Sequence, residues 1–260
     1  MNDQLVITEV QESICTIIIN RPERRNAVDR QTAEALRGAF ERFESDDRLR
    51  VAVLCGAGGN FCSGADLKAM ACAETRNEVD PLGEGHGPMG PTRMNFAKPV
   101  IAAVSGFAVA GGLELALMCD LRVAEASSIF GVFCRRWGVP LIDGGTVRLP
   151  RIVGHGRAMD LILTGRPVYA DEALSIGLAN RIVADGTARQ AADALAREIA
   201  GFPQLCLIAD RKSAHEQWDL STAEALCAEG AGGYPIVYAE AIEGAGRFAD
   251  GAGRHGRFER

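Results

Sequence analysis

Short apolar, β-branched blocks fill the first half of the chain, and apolar residues at helical spacing dominate the second. Leu5 to Thr8 and Ile14 to Ile19 predict paired strands, with Gln11-Glu12-Ser13 as the turn between them. Asp29 predicts an N-cap for a helix whose Ala33, Leu36, Phe40 and Phe43 share one face and whose end is marked by Ser45-Asp46-Asp47. A strand at Val51 to Cys55 follows. The order returns with a strand at Val100 to Val104, a helix over Gly112 to Met118 and a strand at Leu121 to Ala124. The pattern therefore predicts an α/β core of repeated ββα-like turns. Beyond Gly154, amphipathic helices take over at Arg157 to Leu163, Ala170 to Ser175, Ala188 to Ala200, Pro203 to His215 and Ile236 to Phe248. Phe130 to Phe133 and Ala179 to Val183 are the remaining candidates for short strands.

The periodicity fails between Ala71 and Lys98, where Gly83, Gly85, Gly87 and Gly90 are mixed with Pro81, Pro88 and Pro91 in a polar stretch. This reads as a long mobile loop, in the position of a functional lid. His86 within it reads as a solvent-exposed loop histidine, and its place in a lid keeps a catalytic role open.

Composition narrows the possibilities. A chain of 260 residues with 47% hydrophobic content can bury a core as one large domain, or as one domain with a small appendage. Met1-Asn2-Asp3-Gln4 is followed by no leader-like apolar segment, and no apolar run reaches bilayer length, which predicts a soluble, cytoplasmic protein with no membrane partner. The eight cysteines include no CxxC pair and read mainly as reduced core thiols. The four histidines, His86, His155, His215 and His255, are too scattered for metal ligation. A net charge of -6 argues against nucleic acid as the partner. Arg21, Arg24 and Arg25 nevertheless cluster around Pro22, and Arg247, Arg254, Arg257 and Arg260 stud the C-terminus as solvated surface charge.

Two glycine-marked stretches carry the candidate chemistry: Phe61-Cys62-Ser63-Gly64-Ala65-Asp66-Leu67 and Ala110-Gly111-Gly112-Leu113-Glu114. Each follows a strand and opens a helical turn, where unpaired N–H groups and partial positive charge suit a developing oxyanion. Asp66 is placed to cap a short helix from Leu67 to Ala71, leaving the Ala65 N–H near a helix start. Neither stretch has the spacing of a phosphate loop or a dinucleotide fingerprint. Glu114 lies among Leu113, Leu115, Ala116, Leu117 and Met118, so its carboxylate is expected to be buried. It is either a working carboxylate or a capping glutamate reaching back toward Gly111.

The FCSGADL stretch, the later KPVIAAVSGFAVAGGLELALMCDLRVA and then GRPVYADEALSIGLANRIV together resemble the enoyl-CoA hydratase/isomerase, or crotonase, family over nearly the whole chain. The resemblance implies a crotonase-like spiral of repeated ββα units over residues 1–200 and a helical C-terminal region, 201–260, used for trimer formation or for a dimer of trimers. It also implies an acyl-CoA thioester substrate, with coenzyme A entering as part of the substrate and no separate cofactor or metal. Matched position by position, the oxyanion donors are the N–H groups of Ala65 and Gly111, and the first catalytic glutamate is Glu114. Ser63, Ala65, Asp66, Leu67 and Lys68 then form the wall along coenzyme A, with Gly111 beside the thioester. Arg24, Arg25 and Ala27 lie near its phosphates and ribose.

The chain departs from the family at one position. Counting on from Phe130-Gly131 through Val132 and Phe133, the place of the family's second glutamate holds Cys134, which reads as a packed thiol. Asp143, in Pro140-Leu141-Ile142-Asp143-Gly144-Gly145-Thr146, is close to a bend where some members carry a catalytic aspartate. It reads equally as the N-cap of a helix over Gly144 to Leu149. The leading expectation is hydration or isomerisation of a 2-enoyl-CoA through a stabilised enolate. The alternatives are hydrolysis or carbon–carbon cleavage of an acyl-CoA using Asp143, and acyl-CoA binding without turnover.

Overall fold

The structure is a computed structural model and describes residues 4–253; Arg254, His255, Arg257 and Arg260 lie outside the described residues. The chain divides into two compact units, one running to Arg197 and the other beginning at Glu198.

The first unit opens with the hairpin β1 (Val6–Gln11) and β2 (Ile14–Ile19), registered so that Val6 faces Ile19 and Gln11 faces Ile14. Helix α1 (Arg30–Ser45) starts at Asp29, whose side chain accepts the Thr32 N–H. The helix buries Leu36, Phe40 and Phe43, and the Phe40 ring packs on Phe96 at 5.0 Å. Each such side chain contributes about 1.5–3 kcal/mol of burial free energy. Strands β3 (Val51–Gly56), β4 (Val100–Val104), β6 (Leu121–Glu125) and β9 (Arg181–Val183) complete a six-stranded sheet in the order β1-β2-β3-β4-β6-β9. Every pairing after the hairpin is parallel. The inner strands β2, β3 and β4 are mostly apolar and buried along nearly their whole length, because both faces of such a sheet are covered.

A smaller three-stranded sheet joins β5 (Phe107–Val109), β7 (Ile129–Gly131) and β8 (Val168–Tyr169) in the order β5-β7-β8. Along the chain the strands are interspersed with the short α2 (Leu67–Met70), α3 (Gly111–Met118), α4 (Gly145–Val153), α5 (His155–Thr164) and α6 (Ala170–Ser175). Helix α7 (Ala188–Ala200) follows β9. β5 is too short to stand out from the flanking sequence, and α4 continues past Pro150, where the expected helix stopped.

The second unit holds α8 (Gln204–Glu216), α9 (Thr222–Ile236) and α10 (Ile242–Ala249), with a π-helical turn at Val237–Ala241 joining the last two. The amphipathic pattern placed one helix at Ile236 to Phe248 and missed α9. Gly230, Gly232, Gly233 and Pro235 weaken the helical signal there, while the Ser221–Glu224 capping box starts the helix.

Candidate active site

The two glycine-marked stretches lie side by side. Phe61 N–H donates to Ser105 O at 2.7 Å, Cys62 N–H to Phe107 O at 2.9 Å and Val109 N–H to Cys62 O at 3.1 Å. These bonds align the turn after β3 with β5. Gly64 (φ +93°) sits at the closest approach, where a methyl group would lie 2.8 Å from Ala110 Cβ and 3.0 Å from Gly111 N. Only a residue without Cβ allows this contact.

Both stretches orient a backbone donor. Val28 N–H bonds Gly64 O and Asp66 N–H bonds Val28 O, both at 2.9 Å. The intervening Ala65 N–H is thereby turned away from Val28, as alternation along extended backbone requires. Ala110 precedes α3 at φ 55°, ψ −126°, a sparsely populated conformation for a residue with a side chain, and its N–H is tied to Gly131 O at 2.9 Å. Gly111 then begins α3, where an N–H has no intrahelical acceptor. Ala65 and Gly111 line one cavity of about 780 Å³.

Glu114 lies in the first turn of α3, 2% exposed, and lines the same cavity. Its Oε1 accepts the N–H groups of Asp143 at 2.9 Å and Gly145 at 2.8 Å. It does not reach back to cap its own helix: the N-cap residue is Ala110, whose N–H serves Gly131. Gly145 is required by the contact, since a methyl group there would stand 2.9 Å from Oε1. Burial raises the Glu114 carboxyl from 4.5 to about 7, reinforced by the neighbouring Asp143 and opposed by the two backbone donors and Arg148. With Oε1 held, Oε2 is the oxygen available to the cavity.

Asp143 does not cap α4. The N-cap is Gly144, and no side chain performs that task. Instead Asp143 Oδ1 accepts the Met89 N–H at 2.9 Å and the Thr92 hydroxyl. The residue is 4% exposed and lines the cavity, and burial raises its carboxyl above the usual range. This contact corrects the expectation of a loose loop: Gly87 to Thr92 are buried, because Asp143 grips their backbone and hydroxyl groups. His86 is exposed and lies off this cavity.

Cys134 lies in a 3-10 turn, Phe133–Trp137, and is 6% exposed on the cavity wall. Burial, with Glu114 nearby, pushes its thiol up. Of the expected coenzyme-binding positions, Arg25, Ser63, Ala65, Leu67 and Gly111 line the cavity, while Arg24, Ala27, Asp66 and Lys68 lie off its wall. The Asp66 carboxylate is spent on capping α2 and pairing with Arg21 at 3.1 Å.

Sequence reasoning missed several supports. Asn26, fully buried at φ 57°, accepts the Arg21 N–H and donates to Ala57 O and Asn60 O, fixing the turn before Ala65. Its signal was present in the Arg-Asn-Ala sequence, since asparagine tolerates left-handed backbone better than most residues. Thr92 and Arg148 carried no local signal; their partners are distant along the chain.

A mostly parallel α/β core that brings a pair of turn-borne N–H groups to a buried carboxylate defines a crotonase-fold protein. The chain belongs to the enoyl-CoA hydratase/isomerase family, whose model matches residues 9–246. It is 39% identical over 216 residues to the probable enoyl-CoA hydratase echA6 of Mycobacterium leprae, covering 80% of this chain and 83% of that one. It is 36% identical to the carnitinyl-CoA dehydratase of Proteus mirabilis, over 86% of this chain and 85% of the relative. Among solved structures, enoyl-CoA hydratase EchA1 from Mycobacterium marinum superposes with a TM-score of 0.87 at 38% identity, covering 95% of this chain and 96% of that one.

Proposed function

We propose that the protein is an enoyl-CoA hydratase-like lyase that acts on an acyl-CoA thioester through an enolate held by backbone donors. The observation that carries this reading is the placement of Glu114: pinned at Oε1, buried, and on one cavity wall with Ala65 and Gly111. The Ala65 and Gly111 N–H groups polarise the thioester carbonyl. Ionised Glu114 takes a proton from water as the water oxygen bonds to Cβ of the enoyl group. The double-bond electrons move to the thioester oxygen, giving the enolate, which collapses back to the thioester as Cα takes the proton from the Glu114 carboxyl and the carboxylate is regenerated. Coenzyme A enters as part of the substrate, with Arg25, Ser63, Ala65 and Leu67 along its path, and no further cofactor takes part.

The test is hydration of a panel of 2-enoyl-CoA esters, starting with crotonyl-CoA. Turnover is expected to rise with pH through about 7, as Glu114 ionises, and Glu114→Gln is expected to lower kcat by about 10²–10⁴-fold. Absence of hydration across the panel would end the reading.

One observation favours a second reading. Asp143 presents a carboxylate to the cavity where Cys134 offers none, so Asp143 supplies the second acid–base group, for hydration or for hydrolysis or carbon–carbon cleavage. Asp143→Asn keeps an oxygen acceptor for Met89 and Thr92, and is expected to reduce turnover by at least about 10²-fold without weakening acyl-CoA binding. Full turnover in that variant would exclude it.

The reading includes a cytoplasmic homotrimer or dimer of trimers built through the C-terminal helices. In support, Leu226, Tyr234, Tyr238, Ile242 and Phe248 of that unit are exposed, and none of the described helices is long and apolar enough to cross a membrane.

A further inference from the structure

We propose that Arg148 is a positioning residue for Glu114, locking the turn that grips the carboxylate to the loop segment that covers the cavity. The inference rests on the reading of Glu114 as the proton carrier. Glu114 Oε1 is held by two N–H groups of one turn, Asp143 and Gly145. The position of the carboxylate is therefore only as well defined as that turn. Gly144, at its centre, is in the left-handed region at φ 96° and contributes no side-chain anchor.

Arg148 supplies the anchor from the first turn of α4. Its Nη1 donates to Asp143 O at 3.1 Å and its Nη2 to Thr92 O at 2.7 Å. One planar guanidinium thus bridges the Glu114-gripping turn and the Gly87 to Thr92 segment. The same two pieces are joined a second time by the Asp143 carboxylate, which holds Met89 N–H and the Thr92 hydroxyl. Arg93 adds a third tie, donating from Nη2 to Ile142 O and from Nη1 to Gly83 O. Arg148 combines two effects: it is a cation among the charges acting on Glu114, and it holds the carbonyl of the residue whose N–H grips Oε1.

The charged and titratable groups facing Glu114 are few. Asp143 comes from the turn before α4, Arg148 from α4 and Cys134 from the Phe133–Trp137 turn. Removing Arg148 deletes a cation that favours the ionised form of Glu114 and loosens the two donors. Both changes disfavour the ionised carboxylate, so the Glu114 titration moves to higher pH. A purely structural role for Arg148 would lower stability and leave that titration in place.

The experiment compares wild type, Arg148→Gln and Arg148→Lys by steady-state kinetics on crotonyl-CoA. It adds a spectroscopic titration of the Glu114 carboxyl, assigned by difference against Glu114→Gln. Arg148→Gln is expected to lower kcat by about tenfold or more with KM changed less than about threefold, and to raise the Glu114 midpoint. Arg148→Lys, which keeps the cation but not the planar two-point fork, is expected to restore the Glu114 midpoint more fully than kcat. Arg148→Met, which keeps the aliphatic stem, carries the same readouts should Arg148→Gln not fold. An unchanged midpoint, a loss confined to KM, or no recovery with lysine would overturn the assignment. The titration needs no turnover, so a protein inactive on enoyl-CoA esters would sink the proposed reaction while the positioning role is still decided.

Discussion

At the scale of single residues, Glu114 shows how function and stability oppose each other at one carboxyl. Its value rises from 4.5 in the free side chain to about 7 in the fold. Between those limits the folded chain keeps a proton that the unfolded chain has released, so stability falls as pH rises through this window and stays lower above it. Glu114→Gln preserves an acceptor for the Asp143 and Gly145 N–H groups and removes the buried charge. It is expected to stabilise the protein above pH 7 by on the order of 3 kcal/mol, with the gain gone below pH 4.5, as measured by denaturant unfolding at several pH values. The burial of Glu114 was legible from its neighbours, because an apolar helix leaves a carboxylate nowhere to go. Its partners were not, since Asp143 and Gly145 lie 29 and 31 positions along the chain. The capping role weighed for Asp143 had the same local spelling as a functional one, and it is removed by the contact of its side chain with Met89 and Thr92.

At the scale of elements, the site depends on how two turns meet. The turn after β3 and the start of α3 touch through Gly64 and Ala110, and the geometry leaves no room for a methyl group. Gly64→Ala must shift one turn against the other and accept a strained backbone at φ +93°. Activity is expected to fall by at least about 10²-fold, the scale of one lost oxyanion donor, with about 1–3 kcal/mol of stability lost. Parallel assays and melts would check both; an alanine variant with normal turnover would show that the two turns need not touch. The strands β2, β3, β4 and β6 and helix α1 were readable because each is a strong local pattern fixed by burial on the sheet faces. The 71–98 segment was not, because its order comes from Asp143, Arg93 and Arg148 rather than from its own periodicity. Helix α9 was hidden for the opposite reason: it forms despite its glycines and proline, behind a good N-terminal cap.

At the scale of the whole molecule, the helical unit beginning at Glu198 leaves large apolar side chains in water, among them Trp218, Leu226, Tyr234 and Phe248. Exposed apolar side chains on this unit are what the proposed assembly would cover. Sedimentation equilibrium is expected to give a mass of three or six 27.6 kDa chains, and a monomer at micromolar concentration would remove the assembly from the proposed function. Fold and family were both legible from motifs spread along the chain, while the tuning of the site belongs to contacts that only the folded molecule creates. The donors at Ala65 and Gly111 have one further consequence, because both are main-chain atoms. Short of proline, substitution cannot delete them unless it bends the backbone, so these atoms are inherited with the fold, whereas the chemistry offered by side chains such as those at 134 and 143 changes with each replacement. On the proposed reading, a replacement at either position would change the acid–base groups around an enolate that the backbone still stabilises, which makes this cavity a starting point for new thioester chemistry by laboratory evolution.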